Sequence, residues 1–548
     1  MHIKIVICIV AFFGFFIAKS DNLEPVTSYW TDEGNYSTEW FNEEASAFYI
    51  STAQELAGLS VLINKFNTDF TSKSVELTDD IDLLAHEWTP IGSNREGTAF
   101  NGTFDGDNFT INNMYINTQP KVNCYGLFGF CSNAKIMNVI IANGSVNAMS
   151  NCVAGIVGQS FFTEVSNCEN YADCSGSWYV AGICGYSYKS AVYNCTNGGS
   201  HYGDGYVAGI AAVCYDMPVH DCVNTAYVSG NSSIGGISGF FGGNNADILN
   251  CINYGTVEGV INVGGITGNG YEAYFINGCH NKGAVIASSE NAGGIVGIAG
   301  AASSVLNCYN SGKITSTHAA GGIAGWIIAT SNYYNCYNIG DVCADNSAGG
   351  IAGYSEANIE NANISNCYNT GIVDAVDDKG AVIGFATEQT LITDAFYLNA
   401  CIDENNEYGI SMQQDEMQSL DFVIRLNDNA LQHNMCLVDE LKWKSWTINS
   451  SANDGYPYFD TFFAMMKQYT SNNIINVSPN PAVDYISIKT KSNDAVKKII
   501  IRDIKGSTVY NFDFNGENIN ISNLRSGIYL LTAIFTNGIK SAVKVVVE

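Results

Sequence analysis

From Tyr125 to Gly384 the apolar residues keep neither the period of two of a long strand nor the 3.6 of a helix. They come in short runs, broken by Gly, Asn and Ser, that return in the same order roughly every 28 residues. One run reads YGLFG at Tyr125, then AGIVG at Ala154, AGICG at Ala181, AGIAA at Ala208 and GGISG at Gly235. It continues as GGITG at Gly264, GGIVG at Gly293 and GGIAG at Gly321 and Gly349, and fades to GAVIG at Gly380. A second run follows about 13 residues on, clearest as NCYNSGKI from Asn307 and NCYNIGDV from Asn335. Each block thus predicts two or three short strands between Gly, Asn and Ser turns. A fixed period of this size predicts a solenoid, in which each coil buries its apolar side only by stacking on its neighbours. Of seven prolines only Pro218 falls in the array, as stacked sheets require.

The second run carries two invariant columns. Cys168, Cys195, Cys222, Cys251, Cys279, Cys308, Cys336 and Cys367 lie 27, 27, 29, 28, 29, 28 and 31 residues apart. Two residues after each comes Asn170, Asn197, Asn224, Asn253, Asn281, Asn310, Asn338 or Asn369. A spacing of two puts both on one strand face, so the thiols are expected inside and the amides hydrogen-bonded up and down the stack. The glycine two residues further on (Gly255, Gly283, Gly312, Gly340, Gly371) is expected in a turn with positive φ. The doubled glycine of GGI suits a tight corner or a close backbone approach. Neighbouring coils stand about 4.8 Å apart, too far for disulfides along the column, whose Cβ atoms must come within about 3.8 Å. A reduced stack is therefore expected, with bridges left open for Cys124, Cys131 and Cys152.

The flanks read differently. His2 and Lys4 precede an apolar run from Ile5 to Ile17 and then Ala18-Lys19-Ser20, the pattern of a signal peptide spanning 1–20. Residues 21–47 carry no clear signal. Residues 48–124 predict a cap: an extended start at Phe48, a short helix with Leu56, Leu59 and Leu62 on one side, then first strands. Repeats fill 125–400. Residues 401–465 predict a second cap, with Met417, Leu420, Val423 and Ile424 at helical spacing and Trp443 and Trp446 as cover. After a linker at 466–475, residues 476–548 regain lysine, lose cysteine and alternate like the strands of a small β-sandwich. The fold class is all-β: about ten coils of a β-solenoid with caps, then an Ig-like sandwich.

The GLFG and GGIVG elements with their following NCYNxGxV strand resemble the GLUG-motif repeats of exported bacterial surface proteins. The stretches LTDDIDL…PIG before them, and AFYLN at Ala395 and GYPYF at Gly455 after them, resemble the usual surroundings of such repeats. Asp173-Cys174 in place of a glycine turn, and AGIAAVC without its last glycine, depart from the pattern. Pro479-Asn480-Pro481 and Gly527 and Tyr529 of LRSGIYLL resemble the C-terminal sorting domain of the type IX (Por) secretion system of Bacteroidetes-type bacteria. That resemblance implies the type IX machinery as a partner and the cell surface or medium as the destination.

Charge removes several functions. The chain of 548 residues has 53 acids against 24 bases, a net charge of −29, which repels nucleic acid. Only Lys189, Lys282 and Lys313 are basic between Ile136 and Asp378, too few to neutralise a polyuronate for a lyase. No HExxH, GxSxG, CxxC or phosphate loop occurs, so no catalytic constellation, cofactor or metal set is recognised. A hydrolase needs only paired carboxylates, for which Asp374, Asp377 and Asp378 are the candidates against a plain solvated turn. The same trio, or Asp79, Asp80 and Asp82, is the weak calcium alternative. No segment after the signal reaches transmembrane length. One surface feature remains: Tyr309, Tyr337 and Tyr368, between Cys and Asn, are expected to point outward as a strip on which sugar rings stack. The expected function is adhesin-like binding of glycan or host surface. The alternatives are a neutral-polysaccharide hydrolase and a passive spacer.

Overall fold

The computed structural model describes residues 28–459 and 475–547, interrupted by short stretches, the longest at 435–441 and 479–484. The expected signal peptide, and residues 466–474 of the expected linker, lie outside the described residues. The chain divides into two compact units that meet at Gln414 and Asp415.

The first unit is a parallel β-solenoid. Each full coil holds five strands rather than the two or three expected. In one coil they are Glu164–Ser166, Glu169–Asn170, Asp173–Ser175, Tyr179–Ala181 and Cys184–Tyr188. Strands of two to five residues are too short to show alternation, which is why the pattern hides them. First and second strands stack into one 24-stranded sheet, and third, fourth and fifth strands each build a ten-stranded sheet. Pairing is parallel and in register, so every inward position becomes a column. Val165, Val192, Val219, Ile248 and Ile276 form one, and the isoleucine of each GGI forms another from Ile156 to Ile351. All of these are fully buried. Each Val or Ile so buried contributes about 1.5–3 kcal/mol before chain entropy is set against it.

Corner chemistry differs from expectation. The glycine after each CxN does not have positive φ. It lies so close to the preceding coil that an added Cβ would fall 1.8 Å from the Ala226 carbonyl oxygen at Gly255, and 1.9 Å from that of Gly283 at Gly312. Positive φ belongs instead to the residue before each column cysteine: Asn167, Asn194, Asp221, Asn250, Gly278, Asn307, Asn335 and Asn366, with φ between 51° and 68°. Asn and Asp tolerate the left-handed region best among non-glycine residues, which explains their choice there.

The leading cap contains the helix Ala53–Asn64, started by a capping box in which the Glu55 amide donates to Thr52 Oγ1 and the Thr52 amide to Glu55 Oε2. Leu56, Leu59 and Leu62 are buried, and so are Ala57, Ser60, Val61 and Ile63. The helix is covered nearly all round because residues 28–47, silent in the sequence, pack on it. The Trp40 indole N–H donates to the carbonyls of Ser37 and Glu55.

The second unit contains the helix Leu420–Asn434, whose buried residues include Phe422, Val423, Leu426 and Ala430. Leu420 and Ile424, expected on the buried stripe, are exposed. Trp446 is buried and meets the Phe459 ring at 4.4 Å in a two-stranded antiparallel pairing. Towards the C-terminus, antiparallel sheets of three and four strands enclose Ile486, Ile499, Ile501, Leu531 and Val545.

Candidate functional site

The tyrosine column stacks in register, and its geometry corrects the expected sugar platform. Tyr309 and Tyr337 stand 4.8 Å apart at 11°, Tyr337 and Tyr368 5.1 Å apart at 10°, and His280 lies 4.2 Å below Tyr309. Rings nearly parallel at the layer spacing cover each other's faces. Beyond Tyr368 the in-register neighbour is Phe396. Tyr337 is 3% exposed and Tyr368 0%, so no sugar reaches the faces on which it would stack. The column is packing of the cross-strand aromatic kind.

On the inner side of the same strands every column cysteine is buried and free. The Sγ atoms donate to backbone carbonyls, as Cys308 does to Leu306 at 3.0 Å, and Sγ of Cys251, Cys308 and Cys367 accepts the amide of the preceding coil's cysteine at 3.4 Å. Burial pushes the thiols of Cys168, Cys251, Cys279 and Cys336 well up, which keeps them protonated and unreactive. The asparagines form one directed ladder: each Nδ2 donates to the next Oδ1, from Asn170 to Asn369, at 2.7–3.0 Å. Each Nδ2 also donates to the carbonyl two residues on, for example Gly283 from Asn281 at 2.8 Å. The second glycine of GGI makes room for these amides; a Cβ on Gly265 would lie 2.3 Å from Asn281 Cγ. His201, buried in the third-strand column between Cys174 and Val228, donates from Nε2 to Asn197 Oδ1 at 3.0 Å. Its Nδ1 has no partner among the described residues, and burial pushes its pKa down to about 3.

The accessible aromatic surface lies elsewhere, on the outer face of the fifth strands. The residue after each GGIxG element points outward there, giving Phe130, Gln159, Tyr186, Val213, Phe240, Asn269, Ile298, Trp326, Tyr354 and Phe385 in register. Beside it run Ser132, Phe161, Tyr188, Tyr215 and Gly242. Ring contacts join Phe130, Phe161, Tyr186, Tyr179, Tyr206, Phe240 and Tyr271 into one network, with Tyr188, Phe162 and Tyr215 branching from it. Many contacts are edge to face, such as Phe130 on Phe161 at 90° and Tyr206 on Phe240 at 81°. Such pairs leave ring faces uncovered by their partner, unlike the stacked column. Phe162, Tyr215 and Tyr271 are 53%, 39% and 50% exposed. Neither outward column carries an acid or a base, in a chain of net charge −29. The signal was present for the first column, whose aromatics each follow a GGIxG-type element, but its alternation with Val, Ile, Gln and Asn disguised it.

The candidate carboxylates gather no catalytic geometry. Asp374 and Asp378 are exposed, and Lys379 lies 3.8 Å from Asp374 and 2.6 Å from Asp403. Asp80 accepts the Thr110 amide and hydroxyl, which hold its carboxyl below the usual range, and Asp82 accepts from Leu84 and Asn113. Among the described residues no three His, Cys, Asp or Glu side chains are placed to hold a metal ion. No helix among them is long and apolar enough to cross a membrane. Of the sorting motif, Tyr529 is buried in the strand Gly527–Phe535, while Pro479, Asn480 and Pro481 lie outside the described residues.

Comparison with known proteins matches residues 288–315 and 344–374 to the GLUG motif and residues 476–548 to the secretion system C-terminal sorting domain. The chain therefore carries GLUG repeats on a solenoid and a tail that directs it through the type IX system to the cell surface or medium. No curated protein matches. A crystal structure from Bacteroides ovatus, of a protein provisionally named an immunoglobulin A1 protease, matches at 17% identity over 75% of this chain and 92% of that one, with a TM-score of 0.27. A likeness that weak carries neither fold nor activity across.

Proposed function

We propose that this exported protein is an adhesin-like module that holds glycan on the outer face of its fifth strands. The observation that carries this reading is the network of ten joined rings on and beside that face, whose one close charge among the described residues is Lys189, 5.3 Å from the Tyr188 ring. Aromatic faces suit the C–H surfaces of sugars, and the interleaved Gln159, Asn269 and tyrosine hydroxyls suit their hydroxyl groups. A surface repeated at every layer suits a polymer that also repeats. Large exposed apolar patches on exported monomers commonly mark binding surfaces.

The test is a glycan array followed by titration of the best polysaccharide against the full chain and a Tyr186→Ala, Tyr206→Ala, Phe240→Ala triple variant. The variant should bind at least about tenfold more weakly, or about 1.4 kcal/mol. Unchanged affinity in a folded triple variant would remove the face from the account.

A further inference from the structure

Five consecutive coils turn the corner after the fifth strand through one backbone shape. Asn133, Phe162, Lys189, Asp216 and Gly243 follow the in-register residues Ser132, Phe161, Tyr188, Tyr215 and Gly242. All five have positive φ, at 53°, 50°, 47°, 59° and 115°. Three of them, Asn133, Asp216 and Gly243, are residues that suit a left-handed corner, and Lys189 is at least suited to water. Phe162 is not, and it is the only apolar side chain among the described non-glycine residues with positive φ. It is also 53% exposed, and its ring meets only Tyr188 among the described rings, edge to face at 6.1 Å. A bulky ring held in a strained conformation and left in water is explained by neither packing nor corner geometry. Strain of this kind clusters at active sites and ligand clamps.

Phe162 forms one wall of a cleft of about 360 Å³ that Lys73, Asn101, Asn133, Lys135 and Glu164 also line. That volume is in the range of small-molecule sites. Lys135 Nζ stands 3.3 Å from Glu164 Oε1, and both side chains are nearly half exposed. Ser166 Oγ donates to the same Oε1, so Oε2 of Glu164 and two of the Lys135 donors remain for a ligand. Lys73 uses two donors on the carbonyls of Glu43 and Ala45. Asp69, which accepts from Thr71 and Asn101, adds a second carboxylate behind the cleft. Lys73 and Lys135 thus balance Asp69 and Glu164 in number, with Lys135 and Glu164 paired directly.

We propose that this cleft is the end subsite of the aromatic face and takes a neutral hexopyranose, its ring on Phe162 and a vicinal diol bridging Lys135 and Glu164. This rests on the glycan reading above. A diol offers one hydroxyl to donate to the carboxylate and a neighbouring oxygen to accept from the ammonium, which matches an adjacent donor and acceptor. A sugar carboxylate could accept from Lys135 but would be repelled by Glu164 3.3 Å away, so a neutral diol is favoured.

The experiment titrates the full chain with the methyl glycosides of glucose, galactose, mannose and glucuronic acid, and with the array-selected polysaccharide. At least one neutral methyl glycoside should bind. Glu164→Gln and Phe162→Asn should each weaken it at least tenfold, while Tyr206→Ala leaves it unchanged and weakens only the polysaccharide. Phe162→Asn should melt no lower than the parent protein, because Asn suits the corner. Binding of no neutral glycoside, preference for the glucuronide, unchanged affinity in Glu164→Gln, or a melting point several degrees lower in Phe162→Asn would each overturn the proposal. Glycoside binding that depends on Phe162 and Glu164 while the triple variant of the face binds polysaccharide normally would uphold the cleft and sink the face. Normal polysaccharide binding by the cleft variants with loss in the face variant would do the reverse.

Discussion

Replacing Asn281 with alanine strikes the middle of the amide ladder. The side chain accepts from Asn253 at 2.8 Å and donates to Asn310 at 2.7 Å and to the Gly283 carbonyl at 2.8 Å. All of these atoms are buried. Three net hydrogen bonds contribute about 1 kcal/mol each, and leaving the Gly283 oxygen short of a donor adds about 1–3 kcal/mol more, while Asn310 Oδ1 keeps the Gly312 amide at 3.2 Å. The expected loss is about 4–6 kcal/mol. A solenoid coil contacts mainly its neighbours, so the loss should be local. Hydrogen exchange read by mass spectrometry should show faster exchange in the coils around Cys251–Asn253, Cys279–Asn281 and Cys308–Asn310, and little change near Val165. Asn170→Ala, at the ladder's start, has no asparagine donating to it but accepts the Ala172 amide at 3.2 Å, so with the same number of bonds it should cost about as much. A loss below about 1 kcal/mol in Asn281→Ala, or faster exchange spread evenly over all coils, would refute the view that the ladder holds each coil to the next.

Two further outcomes follow from other parts of the molecule. His201 has a folded pKa of about 3 against about 6.5 unfolded, so below pH 6.5 the unfolded chain binds the extra proton and stability falls as pH falls. At pH 4.5 this loss is about 3 kcal/mol; His201→Val, matching Val228 in the same column, should melt higher than the parent by a margin that widens from pH 7 to 4.5, and a constant margin would contradict it. Deleting residues 476–548 should leave the rest of the chain in the periplasm, detected by fractionation and immunoblot, whereas normal surface delivery would show that the tail is not the address.

The repeat was legible because an in-register stack turns each inward site into a column, and columns such as Cys168 to Cys367 survive as a fixed period. The corners were legible in kind but not in place: glycine after CxN answers a close approach, while Asn before Cys supplies the left-handed turn. Five strands per coil were hidden because strands as short as Glu169–Asn170 show no alternation. The tyrosine column misled for a physical reason: a side chain that leaves the core in every coil meets its own copies above and below before it meets solvent. Tyr309, Tyr337 and Tyr368, being identical and adjacent, stack shut. The fifth-strand face stays open because unlike residues interrupt it and many of its rings meet at steep angles, although Tyr188 and Tyr215 stack at 15°. Phe162 could not be singled out from sequence, since its interest lies in a backbone angle.

The amide ladder has a sense as well as a length. Every carboxamide offers its oxygen toward the N-terminal end of the array and its nitrogen toward the C-terminal end, and at Asn369 the outgoing nitrogen meets Cys401 Sγ at 3.5 Å. A newly duplicated unit of roughly 28 residues would therefore find a ready acceptor on one side and a ready donor on the other. Gene-level slippage could lengthen or shorten such an array by whole rungs while leaving the leading cap unaltered, so the length of the array is a quantity this architecture lets selection adjust in single steps.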